Sequence, residues 1–360
     1  MQTLTINQTL SRGSITPEYV PVVAVSASEE YENSGKVRLY RASIEESAWI
    51  PHVVAIIHDG STLGVVCAKE RKIAGIATGL FYADATLDAM VVAQPGHREL
   101  VFELGVRQLV NRRGFHGLRI LVPPGGYEEK AIERILASRR LDVRRMRVEN
   151  HSVLDLPSSY ESFLAGLGYK TRRNFRYYRR RFESTGEYVP DVSIAEFQSA
   201  AKGMLKQSIV GARASRVDRS LRMLSAAGSP MLVGLRSHDG KFLSLVGGWY
   251  EFDRAVVIFQ MNNERDYPQS SLSTVARGYL IEALIAQGVR RVLFWAGAGP
   301  LDRYCSFLPT TKIHLDTAGW VWRTLRGAAA RAGVFLPRPL ASLASWIEPG
   351  AVQAEDSEAG

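Results

Sequence analysis

Cysteine is scarce in this chain. Among 360 residues only Cys67 and Cys305 carry a thiol, which excludes a disulfide framework and leaves too few thiolates for a cysteine-rich zinc site. A reducing cytoplasm is the compartment this usage predicts. The seven histidines are scattered, with no pair at ligand spacing on one helical face, so no metal centre is expected. No apolar run approaches the roughly 20 residues that span a bilayer. The first twenty residues show no cationic start followed by an apolar stretch, so neither a transmembrane segment nor a secretory signal is expected. Three chemical signatures are absent too: a phosphate loop ending in Gly-Lys-Ser/Thr, a Gly-x-Ser-x-Gly nucleophile elbow, and a complete dinucleotide fingerprint. Gly297 and Gly299 follow a strand without the rest of that fingerprint. A zinc hydrolase, a kinase and a Rossmann oxidoreductase are therefore disfavoured.

What is present is ordinary globular material, 46% hydrophobic and 22% charged, of a length that suggests two domains. Lys and Arg number 45 against 36 Asp and Glu, a net charge of +9 that points to an anionic partner. The excess is concentrated at 139–147 and 170–181. Residues 320–347 alternate Arg with Leu, Trp and Phe. They read as a terminal helix packed on its domain or one lying on a membrane surface, interrupted by Gly333, Pro337 and Pro339. Residues 353–360 are small and acidic and read as a disordered tail.

One pattern occurs twice. In the first half an apolar run at 53–57 meets the turn His58-Asp59-Gly60, and the run resumes at 63–68. Asp-Gly between such runs signals a hairpin. A third strand is expected at 86–92, a break at Pro95-Gly96, a helix at 99–112, then Gly114 and a buried strand at 118–122. In the second half strands at 231–235 and 242–249 flank His238-Asp239-Gly240. A third strand at 255–261, Pro268, a helix at 272–286, Gly288 and a strand at 292–295 follow. The shared order predicts an internal duplication of one α/β unit.

Between the repeats the spacing predicts helices. Ser158 with Glu161 and Ser193 with Glu196 have the form of capping boxes. The segment 170–183 is intensely basic, and Phe175, Tyr178 and Phe182 give it one aromatic face. Its Arg172, Arg173 and Arg176 have two readings: a phosphate-binding surface with Tyr169, Tyr177 and Tyr178 interleaved for stacking, or an architectural helix whose arginines meet carboxylates and solvent. Further on, Gln269-Ser270-Ser271 opens directly into a helix. Free amides there suit a phosphate, and small serines allow close approach, although serines also serve simply as caps.

From Leu156 to about Leu315 the chain resembles acyltransferases of the GNAT superfamily, more narrowly the CelD-like and FemAB-like groups with two tandem GNAT-type folds. The matching residues are Leu154-Asp155-Leu156-Pro157, then Tyr160, Phe163 and Leu167, then Arg172-Arg173-Asn174, Arg176, Arg180 and Gly186. Asp239-Gly240, Tyr279-Leu280-Ile281, Gly288, the strand 292–295, Gly299 and Tyr304 complete the succession. The first-half match is looser and covers 53–122. The resemblance implies an α/β (α+β) protein of two tandem GNAT-like folds with mixed, mostly antiparallel sheets flanked by helices. Residues 1–150 form the N-terminal domain, 151–335 the C-terminal acyltransferase domain and 336–360 a tail.

The activity so implied is N-acyl transfer from acetyl-CoA or another acyl-CoA to an amine-bearing small molecule or sugar, in a polysaccharide or cell-envelope setting, without a metal. The donor would lie in the second half and the acceptor in the cleft between halves. In such folds the acyl-pantetheine lies in a gap between two splayed central strands, with the pyrophosphate on the following loop, here Gln269, Ser270, Ser271, Leu272 and Ser273. This chain has serines where that loop is usually Gly-rich, and Cys305 where the family usually has Lys after Tyr304. Tyr304 is the candidate acid for the leaving thiolate, or a half-buried aromatic with a bonded hydroxyl. Glu264 and Asp266 are candidate bases, or surface loop charges. Cys305 is a nucleophile without a His nearby in sequence, or a small buried side chain. Two alternatives stand beside this reading: a FemAB-like aminoacyl-tRNA-dependent transferase, the one case in which nucleic acid is expected, and a non-catalytic GNAT-like protein that binds a polyanion or partner.

Overall fold

The structure, a computed structural model, describes residues 15–20, 34–45, 48–73, 75–86, 90–138, 141–205, 214–251, 253–263, 271–295 and 297–317. These form two compact units. One contains the described residues up to Val37, from Ile44 to Val148 and from Thr310 onward; the other contains Arg38–Ser43 and Glu149–Pro309. Helix α1 (Ser34–Ala42) lies across the first boundary.

In the first unit β1 (Ile15–Val20), β2 (Trp49–His58) and β3 (Ser61–Ile73) form an antiparallel meander of β-branched residues. The β2–β3 loop is only Asp59-Gly60, with φ of 50° and 78°, the left-handed pair a two-residue hairpin demands. The third strand is β4 (Ile76–Asp84), not 86–92. Its Ala, Thr and Gly conceal it in the sequence. Asp84 ends it by accepting from the Thr86 N–H at 2.9 Å and the Thr86 hydroxyl at 2.6 Å, a local turn that competes with strand pairing. A short β5 (Val91–Ala93) returns to pair with β3. Helix α2 (Arg98–Asn111) then crosses over to β6 (Gly117–Val122), which pairs with β4 in parallel. Helix α3 (Tyr127–Ala137) follows. Val101, Phe102, Val106 and Leu109 of α2 and Ile132 of α3 are buried with Phe81, Leu118 and Ile120 of the sheet.

The chain enters the second unit within β7 (Leu141–Asp155), a strand where the sequence reading saw only a basic run. Helices α4 (Tyr160–Gly166), α5 (Tyr169–Glu183), α6 (Ile194–Leu205) and α7 (Ala214–Ala226) follow, with β8 (Gly186–Val189) between α5 and α6. The cap of α4 is Ser159, not Ser158: its hydroxyl accepts from the Ser162 N–H. Ser193 caps α6 in the same way through the Glu196 N–H. Strands β9 (Pro230–Ser237), β10 (Phe242–Glu251) and β11 (Arg254–Asn262) form the second meander. Helix α8 (Leu272–Ala286) crosses over to β12 (Arg291–Phe294), which pairs with β11 in parallel and with β7 antiparallel. The sheet order is β7-β12-β11-β10-β9-β8. A 3-10 helix (Gly299–Tyr304) leads into β13 (Ser306–Thr317). From Thr311 this strand pairs with β6 of the first unit, although the sequence reading assigns 151–335 to the second domain.

Both units thus contain a hairpin around His-Asp-Gly, a third antiparallel strand, a crossover helix and a parallel strand. The molecule is a mixed α/β protein with mostly antiparallel sheets flanked by helices. Among the described residues no helix is long and apolar enough to cross a membrane. The segment 320–347 and the tail lie outside the described residues.

Candidate functional site

The two parallel strand pairs differ. In the first unit β4 and β6 stay paired to the end, through Asp84 with Leu121, and the Ala85 N–H extends the ladder to the Leu121 carbonyl at 2.8 Å. In the second unit β11 and β12 pair over four positions only, ending at Val257 with Phe294 and a last bond from the Trp295 N–H to the Val257 carbonyl at 2.9 Å. Residues 258–262 of β11 run on, paired with β10 alone among the described strands.

The cause is local. The β10–β11 register passes from Gly247–Phe259 to Gly248–Val257, so Ile258 is an extra residue, a bulge that bends β11 at the point where β12 leaves it. Gly248 permits this approach: a Cβ there would sit 1.9 Å from the Val256 carbonyl oxygen. After β12, Gly297 and Gly299, with φ of 86° and 55°, turn the chain into the 3-10 helix. The β11–β12 pairing therefore ends at Val257 and Phe294 while β11 continues to Asn262.

At the start of α8, Ser271 has φ 41° and ψ 56°, a left-handed conformation that suits glycine. Its carbonyl accepts the Thr274 and Val275 amides, and its hydroxyl lies 2.8 Å from the Thr274 hydroxyl. The Ser273 hydroxyl accepts from Gln260 Nε2 at 3.2 Å, tying this turn to the free stretch of β11. Leu272 is fully buried, backbone included, whereas Ser271 and Ser273 on either side of it are partly exposed. Glu264, Asp266, Gln269 and Ser270 lie outside the described residues.

The 3-10 helix holds Tyr304. Its half-buried ring directs the hydroxyl to the N-terminus of α5, where it accepts from the Gly168 N–H at 2.9 Å and meets Thr171 Oγ1 at 3.1 Å. The Thr171 bond leads the effects that hold this phenol below the usual tyrosine range. Beside it, burial pushes the Cys305 thiol up to about 11, reinforced by Asp302 and opposed by Arg277, so at neutral pH the sulfur is a thiol and a poor nucleophile. Arg277 is not among the candidate residues that the sequence singles out. This buried α8 residue donates from Nε to Gln260 Oε1 at 2.9 Å and from its terminal nitrogens to the carbonyls of Ala298 and Gly297. The available signal was one arginine on an otherwise apolar helical face.

Helix α5 divides by face. Phe175 and Phe182 are buried, and Tyr178 packs against the same core. Arg179 bonds to Glu183 at 3.1 Å and Glu282 at 2.6 Å and lies over the Tyr279 ring at 4.1 Å. On the outer face Tyr169 is 71% and Tyr177 50% exposed, and Arg173 lies over the Tyr169 ring. Arg172, Arg173 and Arg176 make no ion pair among the described residues. In the other basic run Arg144 pairs with Asp316 at 3.3 Å and Arg145 with Glu133 at 3.5 Å. No cluster of His, Cys, Asp and Glu able to hold a metal occurs among the described residues.

No family model matches the chain, and no curated protein matches it in sequence. Solved structures do match in fold. FemX is 8% identical over 83% of this chain and 96% of its own, with a TM-score of 0.56. A conserved protein of unknown function from Bacteroides thetaiotaomicron is 12% identical over 84% of this chain and 100% of its own, with a TM-score of 0.53. A tandem GNAT protein from the clavulanic acid biosynthesis pathway is 12% identical over 84% and 99%, with a TM-score of 0.42. At these identities the likeness is one of fold, shared with FemX and the Bacteroides thetaiotaomicron protein.

Proposed function

We propose that this protein is an N-acyltransferase that moves an acyl group from acyl-CoA to an amine-bearing small molecule or sugar in the cytoplasm, within polysaccharide or cell-envelope metabolism. One observation carries the reading. Among the described residues, β11 runs on past the end of its parallel pairing with β12 whereas β4 and β6 stay paired to Asp84, and β11 is followed by a helix whose Ser271 and Ser273 amides suit a phosphate. The residues present fit an acyl-CoA at two points. The unpaired edge of β11 offers backbone groups to the amides of a pantetheine, and the partly exposed Ser271 and Ser273 offer N–H groups to a pyrophosphate, with Gln269, Ser270 and Leu272 as the further candidates.

Transfer needs two proton movements. The attacking amine loses a proton, for which Glu264 and Asp266 are the candidate bases, and the leaving thiolate gains one, for which Tyr304 is the candidate acid. The second reading is an aminoacyl-tRNA-dependent transferase of the FemAB type, favoured by the exposed Tyr169 and Tyr177 among the arginines of α5.

Calorimetric titration with acetyl-CoA and longer acyl-CoAs separates the two. Saturable binding that is lost in Ser271→Glu is the expected result. Absence of binding, together with RNA binding that weakens steeply with salt, would transfer the assignment to the second reading.

A further inference from the structure

Building on the donor site proposed above, we propose that Arg277 selects a donor whose acyl group ends in a carboxylate. Arg277 is 8% exposed, and the hydrogen-bond partners of its guanidinium are neutral: Gln260 Oε1, the Ala298 carbonyl and the Gly297 carbonyl. No carboxylate lies within ion-pair distance of it among the described residues, whereas Arg179 pairs with Glu183 and Glu282 and Arg254 with Glu251. Asp302 acts on it from farther away, and one Asp302 oxygen is already occupied by the Ala298 N–H at 2.6 Å. Cys305, its other polar neighbour, is uncharged at neutral pH.

A buried cation whose nearest carboxylate, Asp302, makes no ion pair with it is costly, and a ligand carboxylate would offset that cost. Burial already draws the Arg277 pKa down to about 10. The position is specific. Gln260 belongs to the free stretch of β11, Phe294 ends β12 with its ring 5.5 Å from the guanidinium, and Gly297 and Ala298 begin the turn that leaves the sheet. Arg277 therefore lies beside the stretch of β11 that β12 leaves unpaired, where the proposed donor site would receive the acyl end. Three of its five N–H groups are used, leaving one on each terminal nitrogen to donate to a carboxylate. A methyl-ended acyl chain would leave the charge uncompensated. The ligand class is a dicarboxylic acyl thioester.

The test compares succinyl-CoA with butyryl-CoA, which carry a carboxylate and a methyl at the same place, by titration of the full chain in about 0.15 M salt, where long-range attraction to the net charge is screened. Succinyl-CoA should bind about tenfold or more tightly, as expected for a charge-assisted pair. In Arg277→Met the preference should fall to parity, and Arg277→Lys should recover part of it. Equal affinities in the unaltered protein, or a preference that survives Arg277→Met, overturns the inference and leaves the donor site standing. Saturable binding of neither thioester overturns the donor site itself. The comparison in the unaltered protein decides the point even where Arg277→Met fails to fold.

Discussion

Ser271 occupies a backbone conformation that costs a residue with a side chain about 1–2 kcal/mol. Ser271→Gly relieves that strain, partly offset by the greater flexibility of glycine in the unfolded chain, and should raise stability by about 0.5 kcal/mol in urea denaturation. Ser271→Val, stiff at χ1, should lower it. The sequence reading noted serines where the resembled loop has glycines; the left-handed φ at Ser271 identifies where that difference is felt. Tyr304 yields a second contrast. Tyr304→Phe removes the acceptor of the Gly168 N–H and the partner of Thr171, and should cost about 1 kcal/mol. As the acid of the transfer, Tyr304 also predicts a fall in turnover of about 100-fold in that variant. Lower stability with unchanged turnover would reduce it to an anchor for α5.

At the scale of elements, the bulge at Ile258 and the basic helix govern what the site can do. Gly248→Ala would drive a Cβ into the Val256 carbonyl, and backbone yields less readily than a flexible side chain. It should destabilise by about 1–3 kcal/mol and shift the β10–β11 register, read by thermal unfolding and by loss of acyl-CoA binding. Helix α5 should tolerate the opposite treatment. Charge reversal of Arg172, Arg173 and Arg176 touches no ion pair among the described residues, so folding should change by less than about 0.5 kcal/mol for each substitution. Acceptor or nucleic-acid affinity should fall in that variant; unchanged affinity would leave α5 architectural. Helix α8 was legible to the residue because Leu272, Val275, Leu280, Ile281 and Leu284 give it a strong apolar pattern and Gly288 follows it. Strands β4 and β7 were not, because β4 is rich in Ala, Thr and Gly and the first half of β7 carries Arg144, Arg145 and Arg147.

Across the whole molecule, acid sensitivity follows from two histidines. Burial lowers the His151 pKa to about 4 in the second unit. Burial, with Arg119, Lys312 and Arg144 adding to it, lowers that of His314 to about 3 in the first. Both are neutral when folded and titrate near 6.5 when unfolded, so between those values the unfolded state holds more protons and stability falls as the pH drops. Each contributes a slope of up to about 1.4 kcal/mol per pH unit below 6.5. Tryptophan fluorescence during acidification from pH 7 to 4 should show early loss of structure, delayed in His314→Gln. The sequence by itself determined the duplication, the fold class and the helices with a clear apolar period, because hydrophobic periodicity and turn residues are local signals. Tertiary structure alone decided that β11 runs on past its parallel partner and what lies beside that stretch. A bulge is a mismatch between two strands, and the burial of Arg277 depends on Gln260, Phe294 and Ala298, which the chain brings together only when β11, β12 and α8 pack.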